Sequence, residues 1–464
     1  MTQSQALDIL KTGANVFLTG EPGAGKTHTV NAYVDYLRRL GVEPAITAST
    51  GIAATHIGGM TIHSWSGIGI KSKLDKYDLD KITSSEYINK RIQKTRVLII
   101  DEVSMLSSNM LDMIELVCRE IKQIDEPFGG IQIVLVGDFF QLPPIIKREE
   151  PSKQGQLISD PASSQIFAYE SSAWERASPI TCYLTEQHRQ DDEDFLSVLS
   201  AIRSDSVDDD HMRYINSRAI DQSDMPDDIT KLFSHNFNVD SVNDVELAKL
   251  EEEARTFTMT ASGNEKVIET LKKGCLSPER LVLKVGAVVM CTKNNQKDHF
   301  VNGTLGVVID FDAFSGNPIV KCKNGRNIVV APMDWVVEEN GKIRGQITQV
   351  PLRLAWAMTV HKSQGMSLDA AVMDLSQVFE YGQGYVALSR VRRLSGLYLL
   401  GINDQALKVS PAILAKDIDF KNSSAEAAKA FTKMPKGKLK KMHDNFIIVC
   451  EGKIRKLDKV LKKL

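Results

Sequence analysis

The chain has 464 residues, of which 42% are hydrophobic and 25% are charged, and this composition is typical of a soluble globular protein with several domains. We find no secretion signal and no apolar run approaching about eighteen residues, so we expect neither export nor a membrane partner. The six cysteines are widely spaced, without a C-x-x-C pair. This spacing favours free thiols in the reducing cytoplasm and argues against a metal site built on cysteine.

The net charge of −2 is unevenly distributed. Residues 421–464 hold 13 Lys/Arg against 4 Asp/Glu, a local charge of +9, so the rest of the chain carries −11. Residues 204–230 are rich in aspartate, which predicts an exposed connection that avoids phosphate. In the last twelve residues, "KIRKLDKVLKKL", apolar residues recur at helical spacing. Such a helix either docks on the protein and presents its lysines to phosphate, or is only a solvated basic surface.

The first motif in chain order is a phosphate-binding loop. "GEPGAGKT" fits G-x-x-x-x-G-K-[ST] and lies between a strand run, "NVFLTG", and a helical pattern, "KTHTVNAYVDYLRRLG". Glycines allow backbone N–H groups to surround a phosphate, the lysine reaches the β- and γ-phosphates, and the threonine hydroxyl holds Mg²⁺. A purely structural glycine loop is the alternative, and the strand–loop–helix order argues against it. The residues predicted to bind the nucleotide here are Gly20, Gly23, Ala24, Gly25, Lys26, Thr27 and His28.

Two further apolar runs end in polar side chains. "RVLIIDEVSM" ends in Asp101 and Glu102, and "IQIVLVGDFFQLPP" contains Asp138 and Gln141. A helical pattern separates them, so the order is βαβα and predicts a mainly parallel sheet with ligands at the carboxyl ends of its strands. Asp101 is predicted to bind Mg²⁺ and Glu102 to polarise the attacking water. Strand-end turns are the alternative for both pairs.

A second α/β region contains "ITKLFSHN", "LAWAMTVHKSQG", "AAVMDL" and "GLYLLG". Residues 281–345 interrupt it with alternating strand patterns and N-G turns, which predict a small antiparallel β insertion. Arg189 and Arg390 are candidates for contacting the γ-phosphate, a role worth about 10³ to 10⁵ in rate. Each is alternatively a surface salt bridge, the commoner use of an arginine.

Taken in order and spacing, "GEPGAGKT", "HIGGMTIHSWSGIG", "LIIDEVSM", "EPFGGIQIVLVGDFFQLPP", "LTEQHRQ", "LAWAMTVHKSQG" and "GQGYVALSRVRR" resemble the PIF (petite integration frequency) helicases, RecD-like members of helicase superfamily 1. The resemblance runs from about residue 3 to residue 402. It implies an ATP- and Mg²⁺-dependent DNA helicase that translocates 5′ to 3′ on single-stranded DNA and unwinds duplexes, forks or G-quadruplexes. It also implies an α/β fold with two RecA-like P-loop domains, and a monomeric motor of bacterial or phage type.

The implied domains are a first RecA-like domain at 1–183 with a wedge near 64–90, a second at 184–280 and 346–410, a β-barrel-like insertion at 281–345, and a basic C-terminal extension at 411–464.

The resemblance assigns further roles residue by residue. Gln3 is expected to read the adenine, with Gln5 as the fallback, and Gln141 to sense the γ-phosphate. Gly365 and Gln364 fall in the segment that links nucleotide to DNA. Trp65 either stacks on a base or belongs to the core. The residues expected to contact DNA are Thr50, His63, Trp65, Ser234, His235, Asn236, Thr359, His361 and Lys362.

Other functions remain open at the level of sequence. A DNA-stimulated ATPase that displaces proteins without separating strands would use the same two domains. A P-loop kinase or GTPase would not require the second α/β region, so residues 351–402 argue against it. RNA is harder to exclude than either, because motifs that hold the backbone carry little information about the 2′-OH.

Overall fold

The computed structural model describes residues 1–50, 53–54, 59–69, 71–144, 166–186, 192–226, 229–234, 236–293, 295, 300, 304–322, 325–339, 342–360, 363 and 368–453. These residues form two compact units. The first contains the described residues of Met1–Thr50, Gly59–Arg189 and Ser410–Leu464, and the second contains those of Gly51–Gly58 and Gln190–Val409. No helix in these ranges is long and apolar enough to cross a membrane.

The α-helices are α1 Gln3–Leu10, α2 Lys26–Arg39, α3 Ile62–Ser66, α4 Lys76–Thr83, α5 Glu86–Lys94, α6 Ser108–Lys122, α7 Ser172–Ala177, α8 Glu193–Arg203, α9 Asp209–Asn216, α10 Asn236–Lys249, α11 Glu265–Gly274, α12 Gln383–Leu388, α13 Pro411–Lys433 and α14 Lys436–Val449. The strands are β1 Val16–Gly20, β2 Ala45–Ala48, β3 Met60–Thr61, β4 Val97–Asp101, β5 Gln132–Val136, β6 Ile180–Leu184, β7 Lys231–Phe233, β8 Arg255–Thr258, β9 Thr260–Gly263, β10 Arg280–Leu283, β11 Val288–Cys291, β12 Leu305–Phe311, β13 Pro318–Cys322, β14 Asn327–Val329, β15 Met333–Glu339, β16 Lys342–Gln349, β17 Leu352–Leu354, β18 Ala357–Thr359, β19 Ala371–Leu375 and β20 Leu397–Ile402.

The first unit is built on a six-stranded sheet in the order β3-β2-β4-β5-β1-β6. Every pairing in it is parallel, with Val16 of β1 opposite both Val134 and Ile180. All residues of β1 and β5 are buried, which is why these strands read as continuous apolar runs in the sequence. Since parallel strands end at the same edge, the segments after β1, β4 and β5 meet there. The α/β fold with a parallel sheet is therefore confirmed.

The C-terminal helices α13 and α14 belong to this first unit and pack on opposite faces of its sheet. Val16 and Leu18 of β1 lie in a core that also contains Ile447 of α14. The intervening side chain, Phe17, points to the other face, because successive side chains of a strand alternate. There its ring lies 5.0 Å from that of Phe420 on α13. The segment predicted as a basic extension thus supplies apolar side chains to both layers of this unit.

The same helices make further contacts with the first unit, and α13 contacts the edge of the sheet. β6 is an edge strand, and such strands leave backbone groups unpaired. The backbone N–H of Tyr183 on β6 donates to Ser424 Oγ of α13 at 2.9 Å. On α14, the ring of Phe446 lies so close to Gly13, whose φ is 85°, that no Cβ would fit. α13 therefore supplies a hydrogen-bond acceptor to the first unit, and α14 supplies an apolar contact.

The second unit contains a four-stranded parallel sheet in the order β18-β7-β19-β20. Between β7 and β18 the chain forms antiparallel strands from Arg255 to Leu354, paired as sheets of two, three and five strands. This region begins before and ends after the predicted range of 281–345. The added strands β8 and β9 are largely exposed, so they lack the apolar alternation by which strands are recognised in sequence.

The predicted wedge region near 64–90 is helical. It contains the end of α3 together with α4 and most of α5. Asp75 caps α4 by accepting a hydrogen bond from the backbone N–H of Asp78 at 2.7 Å, the contact by which aspartate favours helix starts. These short helices belong to the first unit.

Candidate functional site

The phosphate-binding loop turns through three glycines between β1 and α2. Gly20, Gly23 and Gly25 have φ values of 147°, 91° and 87°, which side chains with a Cβ rarely adopt. A Cβ on Gly20 would also lie 2.7 Å from the carbonyl oxygen of Leu184. Ala24 is buried between these glycines. α2 begins directly after Gly25, so the loop leads into a helix N-terminus, an arrangement that binds anions.

Two side chains of the first turn of α2 lie at this loop. Lys26 Nζ donates to the carbonyl oxygens of Gly20 at 2.6 Å and Glu21 at 3.1 Å, so its ammonium group lies over the loop. Thr27 is exposed at the next position. A cation and a hydroxyl are therefore available at the N-terminus of α2, as the motif predicts.

Gln3 on α1 lies against the same loop. Its Nε2 donates to the carbonyl oxygen of Ala24 at 3.3 Å, and its Oε1 is 2.9 Å from Nδ1 of His28. Its backbone N–H donates to the carboxylate of Glu186 at 2.7 Å. These contacts hold an amide side chain beside the loop, where the base of a nucleotide would need a hydrogen-bonding partner.

Gln5, the alternative to Gln3, is directed elsewhere. Its Oε1 accepts from the backbone N–H of Thr2 at 3.0 Å and completes the N-terminal cap of α1. Its Nε2 donates to Thr432 Oγ1 of α13 at 3.3 Å. The amide of Gln5 thus contacts α1 and α13, whereas the amide of Gln3 contacts the loop at Ala24, which favours Gln3 over Gln5.

Asp101 and Glu102 follow β4 at the carboxyl edge of the sheet. Asp101 Oδ1 accepts from the backbone N–H of Glu102 at 2.9 Å. Burial raises the pKa of Asp101, while this hydrogen bond and the positive charge of Lys26 counteract the rise. The carboxylate thus lies within electrostatic reach of the loop lysine. β2 supports the turn, because Ser49 Oγ donates to the carbonyl oxygen of Glu102 at 2.8 Å.

The backbone of Glu102 is left-handed, with φ 52° and ψ 45°. A non-glycine residue in this region carries about 1 to 3 kcal/mol of strain and is concentrated at functional sites. The surrounding hydrogen bonds to Asp101 and Ser49 hold it there. The chain therefore leaves the extended conformation of β4 directly after Asp101.

Asp138 and Gln141 follow β5 and are both buried. Asp138 Oδ1 accepts from the backbone N–H of Phe140 at 3.2 Å, and its carbonyl oxygen accepts from that of Gln141 at 3.0 Å. Phe139 anchors this turn, with its ring 5.4 Å from Phe17 and stacked 6.1 Å from Phe420. Asp138 therefore shapes the turn, and Gln141 is held at the strand end by packing behind it.

Arg390 is buried in the second unit, at 3% exposure. Its Nε donates to the carbonyl oxygen of Val386 at 2.8 Å and its Nη2 donates to Ser389 Oγ at 2.7 Å. Nη1 donates to the carbonyl oxygen of Ser363 at 3.4 Å. Arg390 is therefore held inside the second unit and does not lie on its surface.

Ser234 directly follows β7, Thr359 ends the neighbouring parallel strand β18, and both are buried. Gln383 at the start of α12 contacts Ser234, because its Nε2 donates to the carbonyl oxygen of Ser234 at 3.0 Å. Gln383 has 0% exposure and was not singled out from the sequence. The local signal was present in "GQGYVALSR", a polar residue surrounded by small and apolar ones.

Thr50 and His63 lie in the first unit, after β2 and within α3, and both are partly buried. Burial lowers the pKa of His63, which favours the neutral ring at physiological pH. A neutral imidazole interacts with a phosphate through a hydrogen bond, not through full charge.

The expectation that Trp65 stacks on a base is not supported by the structure. Its side chain is 2% exposed and belongs to the core, so neither face of its ring is available to a base. Arg91 of α5 donates to its carbonyl oxygen. The core alternative therefore accounts for this residue, and the apolar face of a short helix explains its type.

Several predicted residues lie outside the described part of the chain, namely Arg189, His235, His361, Lys362, Gln364 and Gly365, and the side chain of Asn236 is likewise not described.

Glu186 and Ser49 are site-supporting residues that the sequence alone did not indicate. Glu186 fixes the start of α1 through Gln3, 183 positions away, and Ser49 fixes the turn at Glu102, 53 positions away. Neither belongs to a recognisable spacing, since each acts across a large sequence separation.

The loop, the strand-end carboxylates and the parallel sheets define a P-loop nucleoside triphosphatase. Residues 3–211 match the PIF1-like helicase family, and residues 266–311 match the 2B domain of the DNA helicase Pif1. The ATP-dependent DNA helicase Pif1 of Psychrobacter sp. is 42% identical over 512 residues, covering 98% of this chain and 76% of that protein. The chain belongs to the PIF1-like helicase family.

Solved structures agree with this assignment. Bacteroides sp. Pif1 in complex with ADP-AlF4 is 31% identical with a TM-score of 0.75, covering 90% of this chain and 96% of that one. Bacteroides Pif1 bound to ssDNA is also 31% identical, with a TM-score of 0.66 and coverage of 91% and 96%.

Proposed function

We propose that this protein is an ATP-dependent DNA helicase that translocates 5′ to 3′ on single-stranded DNA. The observation that carries the proposal is the phosphate-binding site of the first unit, with Lys26 over the loop and with Asp101 and Glu102 at the end of β4 on the same edge of the sheet. This site occurs in a chain of the PIF1-like helicase family. Hydrolysis requires both a phosphate cradle and a water-orienting carboxylate, and the first unit supplies both.

Within the first unit the roles divide as follows. Lys26 binds the β- and γ-phosphates, Gln3 hydrogen-bonds the adenine, and Glu102 orients and deprotonates the attacking water. Gln141, held by the turn behind it, senses whether the γ-phosphate is present. Asp101, the neighbour of Glu102, serves another purpose.

That purpose is the binding of Mg²⁺. The hydroxyl of Thr27 and the carboxylate of Asp101 are oxygen ligands, the type that Mg²⁺ prefers. The partly buried carboxylate of Asp101, whose pKa is raised by burial, is a group that gains from a nearby cation. These residues therefore fit the ion, which when bound would neutralise charge on the β- and γ-phosphates.

In the second unit, Arg390 supplies positive charge to the γ-phosphate, and Arg189 does the same from the segment after β6. Ser234 and Thr359 at the strand ends contact the DNA backbone, together with Thr50, His63, His235, Asn236, His361 and Lys362. Gly365 contributes to the nucleotide site. Most of these are hydrogen-bonding or cationic side chains, which suits a motor that holds phosphate and sugar and does not read sequence.

The DNA substrates we propose are single strands, forks and G-quadruplexes, acted on by a monomer in the bacterial cytoplasm. Bacteroides Pif1 bound to ssDNA provides the precedent for the first. The six cysteines, all unpaired, fit a reducing compartment.

A titration of ATPase activity with single-stranded DNA, single-stranded RNA and blunt duplex tests the proposal. We expect single-stranded DNA to stimulate hydrolysis strongly and blunt duplex to stimulate it weakly. Equal stimulation by RNA would contradict the choice of DNA. No stimulation by any of the three would remove the nucleic-acid motor and leave a P-loop enzyme of another kind.

A further inference from the structure

Six lysines cluster around the junction of α13 and α14. They are Lys429, Lys433, Lys436, Lys438, Lys440 and Lys441, and all are exposed. Between residues 427 and 443 the sequence contains no aspartate or glutamate. We call these six residues the lysine cluster. Its local charge is +6, within a chain whose remainder is acidic.

The lysine cluster is fixed to the first unit on both sides. Just inside its N-terminal part, Thr432 accepts a hydrogen bond from Gln5 of α1 at 3.3 Å. Just after its C-terminal end, His443 Nε2 lies 2.8 Å from the carbonyl oxygen of Asp8, in the last turn of α1. Further along α14, Ile447 is buried in the core beside α1 and α2. The lysines are therefore presented by an anchored helix pair.

The cluster also carries unneutralised charge. Its lysines form no ion pair with any residue that the structure describes. By contrast, Lys416 and Lys421 earlier on α13 pair with Asp419 at 3.2 Å and Asp417 at 2.8 Å. Like charges carried by a short stretch of two consecutive helices repel one another, so an anionic partner gains energy by binding there.

We propose that the lysine cluster binds the phosphate backbone of DNA, as a contact additional to the motor residues. The proposal rests on the DNA helicase activity proposed above, which brings a polyanion to this protein. Lysines without interleaved aromatic side chains suit phosphates, because an ammonium is a point charge that needs no planar or stacked partner. At a rise of about 1.5 Å per residue, α14 presents its four lysines within about 8 Å, a span over which one DNA strand offers two to three phosphates.

The test compares three full-length proteins. The first variant replaces Lys436, Lys438, Lys440 and Lys441 with glutamine, which keeps helix propensity. A matched control replaces Lys249, Lys272, Lys408 and Lys416 with glutamine, removing the same formal charge from positions outside the cluster. Affinity for a labelled oligothymidylate is measured by fluorescence anisotropy over a series of salt concentrations. ATPase rate at saturating oligothymidylate and circular dichroism accompany each measurement.

For the cluster variant, we expect the slope of log affinity against log salt to flatten by about 0.7 to 1.4, one to two phosphates' worth on single strands. The control should keep the wild-type slope, and both should keep the wild-type ATPase rate at saturation. An unchanged slope in the folded cluster variant would overturn the proposal and leave a solvated surface or a site for an acidic peptide. Equal flattening in the control would also overturn it. If oligothymidylate did not stimulate the ATPase of the wild-type protein, that result would instead refute the proposed function.

Discussion

Glu102 is the residue on which the division of chemistry in the first unit depends. Its left-handed backbone, φ 52° and ψ 45°, is stabilised by hydrogen bonds from Ser49 and to Asp101. A strained position maintained by specific contacts indicates that the direction of this side chain matters more than local stability. Two neighbouring carboxylates can then take different tasks.

Replacing Glu102 with glutamine should therefore stop turnover without preventing binding. The amide keeps the size of the side chain but cannot accept a proton from water, so we expect the ATPase rate to fall by about 10² to 10⁴. Affinity for a labelled ATP analogue and for single-stranded DNA should stay near the wild-type values. Lys26→Ala is the comparison, because it should lose nucleotide affinity as well. Near-normal steady-state hydrolysis by the glutamine variant would rule out the general-base role.

Gln3 and Gln5 form a natural matched pair for testing base recognition. Gln3 contacts the loop through Ala24 and His28, whereas Gln5 caps α1 and contacts α13. We expect Gln3→Ala to raise the KM for ATP about tenfold while leaving the KM for GTP unchanged, since a lost hydrogen bond costs about 1 to 1.5 kcal/mol. Gln5→Ala should keep the preference for ATP. Steady-state kinetics with both nucleotides decides, and an altered preference in the Gln5 variant alone would reverse the assignment.

At the scale of elements, the helices α13 and α14 are part of the ATPase unit. α13 places Phe420 against Phe17 and Phe139, and α14 places Ile447 in the core on the opposite face. Phe139 precedes Gln141 by two positions, so the aromatic packing also supports the turn that carries a proposed γ-phosphate sensor. Removing the C-terminal helices would therefore disturb more than charge.

Phe420→Ala should destabilise the first unit by about 3 to 5 kcal/mol, the usual cost of truncating a buried phenylalanine. Ile418→Ala, at a position on the same helix that is 60% exposed, serves as the control and should change stability by less than about 1 kcal/mol. Urea unfolding followed by tryptophan fluorescence measures both, since Trp174 lies 6.3 Å from Phe420. Equal midpoints for the two variants would show that α13 is not part of the core.

Sequence reasoning located the elements whose signals are local. β1, α2, β4 and β5 were predicted because apolar runs, helical spacing and the loop motif lie within short windows. It did not predict that α13 and α14 cover the sheet, because a contact such as that between Phe420 and Phe17 leaves no local pattern. Trp65 shows the same limit, since its burial depends on neighbouring helices. The exposed strand β8 was missed for lack of alternation.

On the scale of the whole molecule, the two units carry different parts of the proposed chemistry. The first holds the loop and the carboxylates, and the second holds Arg390 among backbone carbonyls and Ser389. The Arg390 guanidinium is buried, at 3% exposure, and burying a charged group is costly, so we expect its charge to be used. Hydrolysis and DNA binding are therefore expected to respond differently to its loss.

Arg390→Ala should lower the DNA-stimulated ATPase rate by at least about 10³ while leaving DNA affinity without nucleotide nearly unchanged. Arg390→Lys keeps the charge but not the planar fork, so it should recover only a small part of the rate. Thermal unfolding of both variants shows whether the second unit still folds. A collapse of DNA binding in folded Arg390→Ala protein would place this residue on the DNA path instead.

Strand separation of a tailed duplex tests the central claim most directly. The substrate carries a single-stranded tail at its 5′ end, at its 3′ end, or at neither, and a fluorophore and quencher on opposite strands report unwinding. We predict ATP-dependent separation of the substrate with the 5′ tail, little separation of the other two, and none by the Glu102→Gln variant. Strong ATPase stimulation by single-stranded DNA without separation of any of the substrates would contradict the helicase assignment and favour an ATPase that displaces proteins.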